Sequence, residues 1–164
     1  MVLDYNKVYL LLGSNMGARL QLLEDAIKNI NLQIGEVVEK SSMYETAAWG
    51  KTDQPGFLNI AIAVNTLLSP IEVLTKALEI ETKLGRIREE KWGARLIDID
   101  IIFYGNDIVN IPDQLQIPHP EMHKRKFVLE PLVEIDPDLQ HPLLKMSISA
   151  LLLELNDQLE VTRI

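Results

Sequence analysis

The sequence contains no cysteine, which excludes disulfides, thiolate zinc sites, cysteine-ligated iron–sulfur clusters and a cysteine nucleophile. Nor does any stretch of it approach the roughly 20 apolar residues of a membrane helix. The start of the chain carries an acid at Asp4 and then a short apolar run, residues 8–12, unlike a secretory signal. A cytoplasmic protein with no membrane partner is expected. Aromatic residues are few (three Phe, two Trp, four Tyr), and bases are outnumbered, 16 against 24 acids, for a net charge of −8. A general nucleic-acid binder would be basic, so that class is excluded too.

What remains is a chain of 164 residues with 47% hydrophobic and 24% charged side chains, enough apolar surface to offset the entropy lost on folding. It has no repeat, low-complexity tract or linker, so a single domain over residues 1–164 is expected, with a monomer favoured and a dimer left open. Charge is unevenly placed. Residues 83–95 carry +3 and residues 119–126 carry +2, so the rest of the chain carries −13. Two basic islands on an acidic body suit a small anionic ligand, or are solvated loops.

Residues 8–12 are wholly apolar and end at Gly13, as a buried central strand does. Leu20, Leu23, Ile27, Ile30 and Ile34 form one apolar stripe, which predicts a helix stopped by Gly35. Residues 36–44 read as a strand, 46–56 as a loop and 57–67 as an aliphatic strand. Ser69, Pro70 and Glu72 make a capping box with proline at the first helical position, predicting a helix that Gly85 stops. Residues 85–95 are a basic loop, and residues 97–104 alternate as a strand as far as Asp100. Gly105 and Asn106 suit a hairpin turn into residues 107–111. The proline-rich remainder predicts short helices, one over residues 147–155. The order is βαββαβ with a tail. It predicts an α+β fold, the ferredoxin-like plait, with a mainly antiparallel sheet, helices on one face, and a C-terminal hairpin and short helices for the other face.

Chemistry concentrates at Asp98 and Asp100. On a strand both point to one face while Ile97, Ile99 and Ile101 point to the core, so the carboxylates lie about 6–7 Å apart. Such a pair suits hard cations such as Mg²⁺, or is the acidic stripe of an edge strand. Arg86, Arg88, Lys91 and Arg95 precede it, and acids that hold metal beside bases that clamp phosphate are what an ATP site needs. Glu81 could add an acceptor or be a solvated helix-face acid. His119, between Pro118 and Pro120, could donate to a phosphate or be a loop histidine. Residues 13–17 lack the ending of a P-loop and read as a turn plus a helix cap. Phe57, Trp49, Trp92 and Phe127 lie in or beside the loops and basic islands, where they could stack on a planar heterocycle or pack into the core.

The segment Lys91-Trp92-Gly93-Ala94-Arg95-Leu96-Ile97-Asp98-Ile99-Asp100-Ile101-Ile102 resembles the signature of the 6-hydroxymethyl-7,8-dihydropterin pyrophosphokinases of folate biosynthesis. So, in order, do Leu12-Gly13-Ser14-Asn15, Asp53-Gln54-Pro55-Gly56-Phe57-Leu58-Asn59, Gly85-Arg86-Ile87-Arg88 and Ile117-Pro118-His119. The resemblance implies transfer of diphosphate from ATP to the pterin hydroxymethyl group, with release of AMP. It implies two Mg²⁺ ions on Asp98 and Asp100, with Arg86 and Arg95 stabilising charge. Glu81, Arg88, Trp92, His119 and Arg125 would serve ATP. Phe57 and Phe127 would sandwich the pterin, and Asn59 with the backbone from Thr46 to Trp49 would read its edge. Three positions depart from the pattern: Pro120 stands where some members carry tyrosine, Gln114 where some carry arginine, and Trp49 replaces a smaller apolar residue.

The competing class is a non-catalytic plait, an RNA-binding or regulatory module. An RNA-binding sheet would present aromatics and bases on its central strands, where this one offers Asp98 and Asp100.

Overall fold

The structure, a computed structural model, describes residues 4–15, 17–46, 56–85, 96–157 and 160–164. Along the chain come β1 (Asn6–Ser14), α1 (Arg19–Gln33), β2 (Gly35–Lys40), β3 (Tyr44–Thr46), β4 (Phe57–Thr66), α2 (Pro70–Lys83) and β5 (Asp98–Tyr104). Then follow β6 (Val109–Ile111), β7 (Leu115–Ile117), a 3-10 turn at Met122–Lys124, α3 (Lys126–Ile135), α4 (Ile148–Glu154) and β8 (Val161–Arg163).

The main sheet runs β5-β1-β4, with both β2 and β3 pairing the far edge of β4 and β8 pairing β3. Every one of these pairings is antiparallel. This is the strand order of the plait, with the second strand in two pieces. The apolar run in β1 is explained by its place: the sheet is covered on both faces, so neither set of alternating side chains meets water. On one face Leu10, Leu12, Ile60, Ile62, Ile99 and Ile101 pack with Leu23, Ala26 and Ile30 of α1 and Val73, Ala77 and Ile80 of α2. On the other face Tyr9, Leu11, Ala61, Ala63 and Phe103 pack with Met122, with Val128, Leu129 and Leu132 of α3, and with Ile148 and Leu151 of α4. The tail helices thus form the expected third layer. Truncating a fully buried residue such as Leu10 to Ala should cost about 2–5 kcal/mol.

Local signals act as expected in α2. Ser69 Oγ accepts from the Glu72 N–H, and Glu72 Oε1 accepts from the Ser69 N–H at 3.0 Å, which closes the capping box. In α1 the stripe holds from Leu23 onward, but Leu20 is exposed and belongs to the solvent side.

Three elements differ from expectation. The strand expected over residues 36–44 breaks at Ser41, whose N–H donates to Ala61 O while its Oγ accepts from the Ala61 N–H. One residue therefore occupies both partners of the ladder, and four steps from Lys40 to Tyr44 match three on β4, from Ile62 to Asn59. The turn at Gly105, with φ of 53°, leads out of β5, but β6 pairs with β7 and not back along β5. Pro131 lies inside α3 without ending it. It lacks the N–H that would bond the carbonyl of Phe127, and α3, at ten residues, is as short as the prolines predict. Finally, β8 was not expected at all.

One irregularity matters for the site. Tyr9 pairs with Phe103 and Leu10 with Ile101, so Ile102 is an extra residue, a β-bulge. Below it Ile102 and Phe103 both enter the core under α3, whereas Ile97, Ile99 and Ile101 enter the core under α1 and α2.

Candidate active site

The sheet face under α3 carries the site at one end. Asp98 is paired with Gly13, Gly13 with Asn59, and Asn59 with Tyr44, so one row crosses β5, β1, β4 and β3. Cross-strand partners share a face. Asp100 stands in the next row, paired with Leu11, and Thr46 pairs with Phe57 on the other side of the first row. With strands about 4.8 Å apart, Asp98 and Asn59 are about 10 Å from each other.

Asp98 is half-buried and Asp100 exposed, while Ile97, Ile99 and Ile101 are buried on the opposite face, as the alternation predicts. β5 is indeed an edge strand, yet it is no plain acidic stripe. Glu81 of α2, read from the sequence as either an acceptor or a solvated acid, is 4% exposed. Its Oε2 accepts from the N–H of Ile99 at 2.7 Å, between the two aspartates.

His119 is brought to the same place by the bulge. Its N–H donates to the carbonyl of Ile102 at 3.1 Å. Its Nδ1 accepts from the Glu121 N–H at 3.2 Å, which leaves the ring proton of the neutral imidazole on Nε2. Burial lowers the pKa of His119; the charge of Asp100 opposes that shift and the charge of Arg125 adds to it. His119, Asp100 and Arg125 therefore share one electrostatic neighbourhood. The Arg125 guanidinium lies 5.8 Å from the centre of the Phe127 ring, a cation–π contact.

Phe57 and Phe127 are both half-buried, Phe57 two residues from Asn59 on the sheet and Phe127 in the first turn of α3. Thr46 and Asn59 are buried, and among the described residues Thr46 Oγ1 and Asn59 Nδ2 lack hydrogen-bond partners. Buried polar atoms are rarely left so, and a ligand that completes them is one physical reason for the exception. Asn15 Oδ1 is a third such atom, at the end of β1. The turn-and-cap reading of residues 13–17 missed it: Ala18 starts α1 without a side-chain cap, and Ser14 and Asn15 are buried instead. Only the Leu12-Gly13-Ser14-Asn15 resemblance pointed there.

Trp49, Arg86, Arg88, Trp92 and Arg95 lie outside the described residues. Among the described residues no three histidine or acidic side chains form a metal-binding group. A hard cation would find two carboxylates, Asp98 and Asp100, a donor set that fits Mg²⁺, which keeps several waters and takes its other oxygens from substrate phosphates. Among the described residues no helix is long and apolar enough to cross a membrane.

Residues 9–137 match the family model described as 7,8-dihydro-6-hydroxymethylpterin-pyrophosphokinase. The chain is 45% identical over 134 residues to the 2-amino-4-hydroxy-6-hydroxymethyldihydropteridine pyrophosphokinase of Methylorubrum extorquens, covering 81% of this chain and 84% of that protein. It is 40% identical over 148 residues to the folic acid synthesis protein fol1 of Pneumocystis carinii, covering 90% of this chain but 20% of that protein. A Plasmodium falciparum HPPK-DHPS crystal structure aligns with a TM-score of 0.77 and 18% identity over 92% of this chain and 45% of that one, a likeness of fold. The chain thus spans a fifth of the Pneumocystis protein and under half of the Plasmodium chain.

Proposed function

The chain belongs to the 7,8-dihydro-6-hydroxymethylpterin-pyrophosphokinase family, and from that premise we propose that it makes the diphosphate ester of 6-hydroxymethyl-7,8-dihydropterin in folate biosynthesis. ATP is the diphosphate donor. The hydroxymethyl oxygen attacks the β-phosphorus, the bridge to the α-phosphate breaks, and AMP leaves. The observation that carries this reading is the row Asp98–Gly13–Asn59, which with Asp100 in the next row sets two carboxylates and a buried amide with an unpaired Nδ2 on one sheet face.

Phosphoryl transfer asks the protein mainly for positioning and charge compensation. Asp98 and Asp100 would hold two Mg²⁺ ions, which when bound offset the charge of the triphosphate. Arg86 and Arg95 act as the catalytic cations that compensate charge on the transferred and leaving groups. Arg88, Trp92 and Arg125 hold the nucleotide together with His119, whose Nε2–H donates to a phosphate oxygen. Glu81 keeps β5 in register behind the aspartates and stands on the nucleotide side. Phe57 and Phe127 flank the pterin ring. Asn59 and Thr46, with the segment to Trp49, meet its polar edge, where Asn59 Nδ2 supplies a donor and Thr46 Oγ1 supplies either partner.

The test is incubation of the chain with ATP, Mg²⁺ and the hydroxymethyl dihydropterin, with the nucleotides resolved afterwards. AMP without ADP, abolished by chelation, is expected. ADP as the product, or unchanged ATP, would overturn the reading and favour a binding module.

A further inference from the structure

Gly13 occupies the middle of the row, with Asn59 on one side and Asp98 on the other. Its backbone does not demand glycine. It is paired on both sides within β1 and is not among the residues with positive φ. Space demands it instead. A Cβ at this position would stand 2.6 Å from Asn59 Oδ1, while its next contacts, Asn59 Cγ at 3.7 Å and Leu58 O at 3.9 Å, are ordinary. The single atom in conflict is the amide oxygen of Asn59, and none of the three nearest atoms belongs to Asp98. The Asn59 side chain therefore lies across bare backbone, buried, with Nδ2 unpaired.

We infer that Gly13 is a positioning residue for pterin recognition: by carrying no side chain it fixes the Asn59 amide in the orientation that reads the heterocycle. This rests on the reading of the preceding subsection. A methyl group at residue 13 would drive the amide off β1 into another rotamer. The ring edge would then meet a misplaced donor and acceptor, while the aspartates on β5 keep their register. A site built to hydrogen-bond a polar edge discriminates through such pairs, because each buried group left unmatched weakens binding.

The experiment compares Gly13→Ala, Asn59→Ala and the double variant. Three quantities are read: binding of a non-hydrolysable ATP analogue with Mg²⁺, binding of the hydroxymethyl dihydropterin in its presence, and the side-chain amide resonance of Asn59 in the free protein. Gly13→Ala should weaken pterin binding by about tenfold or more, the scale of one disrupted buried hydrogen bond, and leave analogue binding within about twofold. The Asn59 resonance should move. In the Asn59→Ala background the second substitution should add nothing, because no amide is left to displace. If Gly13→Ala folds poorly, recovery of the melting temperature in the double variant supports the same conflict. An unmoved Asn59 resonance, equal losses for both ligands, or additive losses in the double variant would each overturn the role of Gly13 while leaving the activity standing. A native chain that bound no hydroxymethyl dihydropterin would overturn the functional reading, and this role with it.

Discussion

Tyr44 of β3 donates its phenolic proton to Glu134 of α3 across 2.6 Å. The other carboxylate oxygen accepts from the N–H and Oγ of Ser42 at 2.8 and 2.9 Å, and Arg163 of β8 lies 3.8 Å away. Phe127 and Glu134 are two turns apart on one face of α3, and Thr46 is two residues from Tyr44 on one face of β3. The contact therefore ties the wall carrying Phe127 to the floor carrying Thr46.

Loss of that tie should show in stability and in pH dependence. Burial pushes Tyr44 up, helped by its bond to Glu134, to about 12. Burial also pushes Glu134 up, but the bonds from Tyr44 and Ser42 outweigh it and hold the carboxyl below its ordinary value. The carboxylate therefore contributes stability above the unfolded pKa, and that contribution is lost as pH falls through the lower folded value. The tyrosine contributes below 10, its ordinary value, and the contribution is lost as pH rises toward about 12. Tyr44→Phe should cost about 1–3 kcal/mol near neutrality and flatten the alkaline limb. Urea titrations of both proteins across pH would check this; parallel curves would be the contrary result.

Asp98→Ala and Asp100→Ala should each lower turnover by about 10²–10³ or more, the scale of losing one electrostatic element of a preorganised site. Both side chains point away from the core under α1 and α2, Asp98 half-buried and Asp100 exposed, so melting temperatures should stay close to that of the native chain. Assays of AMP release at saturating Mg²⁺ decide the matter, and near-native turnover in either variant would remove the two-carboxylate site.

Phe57→Ala and Phe127→Ala should weaken pterin binding by roughly 1–3 kcal/mol each, if base–aromatic stacking values carry over to this ring. Both rings are only half-buried, which leaves surface for a ligand to cover. Calorimetric titration with the pterin and with an ATP analogue separates stacking from packing. Equal losses for both ligands, or an unfolded variant, would mark them as core residues.

His141 packs against Phe103 in the core under α3 and gives a separate acid signature. Its Nδ1 accepts from the N–H groups of Leu143 and Leu144, and its ring meets Phe103 edge-on at 5.8 Å and His123 at 6.2 Å. Burial, and after it the neighbouring His123, lowers its pKa from 6.5. The neutral ring therefore contributes stability above that value, and the contribution is lost as pH falls through the lower folded pKa. Melting temperatures should drop across this window. His141→Asn, which keeps an acceptor but cannot titrate, should show a shallower drop, and identical slopes would count against this account.

Much of this was legible because it is local. The capping box of α2 is four residues long, and the alternation that aims Asp98 and Asp100 needs only a strand. The split between β2 and β3 was not legible, because Ser41 acts through Ala61, twenty residues away. β8 has three residues that pack little apolar surface, so it leaves no periodic trace and owes its pairing to the edge of β3. The prolines were legible as a limit on length: α3 and α4 span ten and seven residues. Gly13 was taken as the end of a strand that in fact continues to Ser14; its meaning lies in a neighbour across the sheet.

The bulge at Ile102 has a consequence for the order of assembly. The carbonyl of that residue receives the N–H of His119, so the native seat of the segment bearing the histidine depends on where the bulge sets that carbonyl. Pairing of β5 with β1 is itself a contact of long sequence separation, which forms late because loop closure precedes any gain. Helix α2 with its capping box can form early on its own signals, but no partly folded chain will have joined the aspartates, Asn59 and His119. Recovery of catalysis during refolding will then trail recovery of helical signal, and turnover will report completion of the whole sheet.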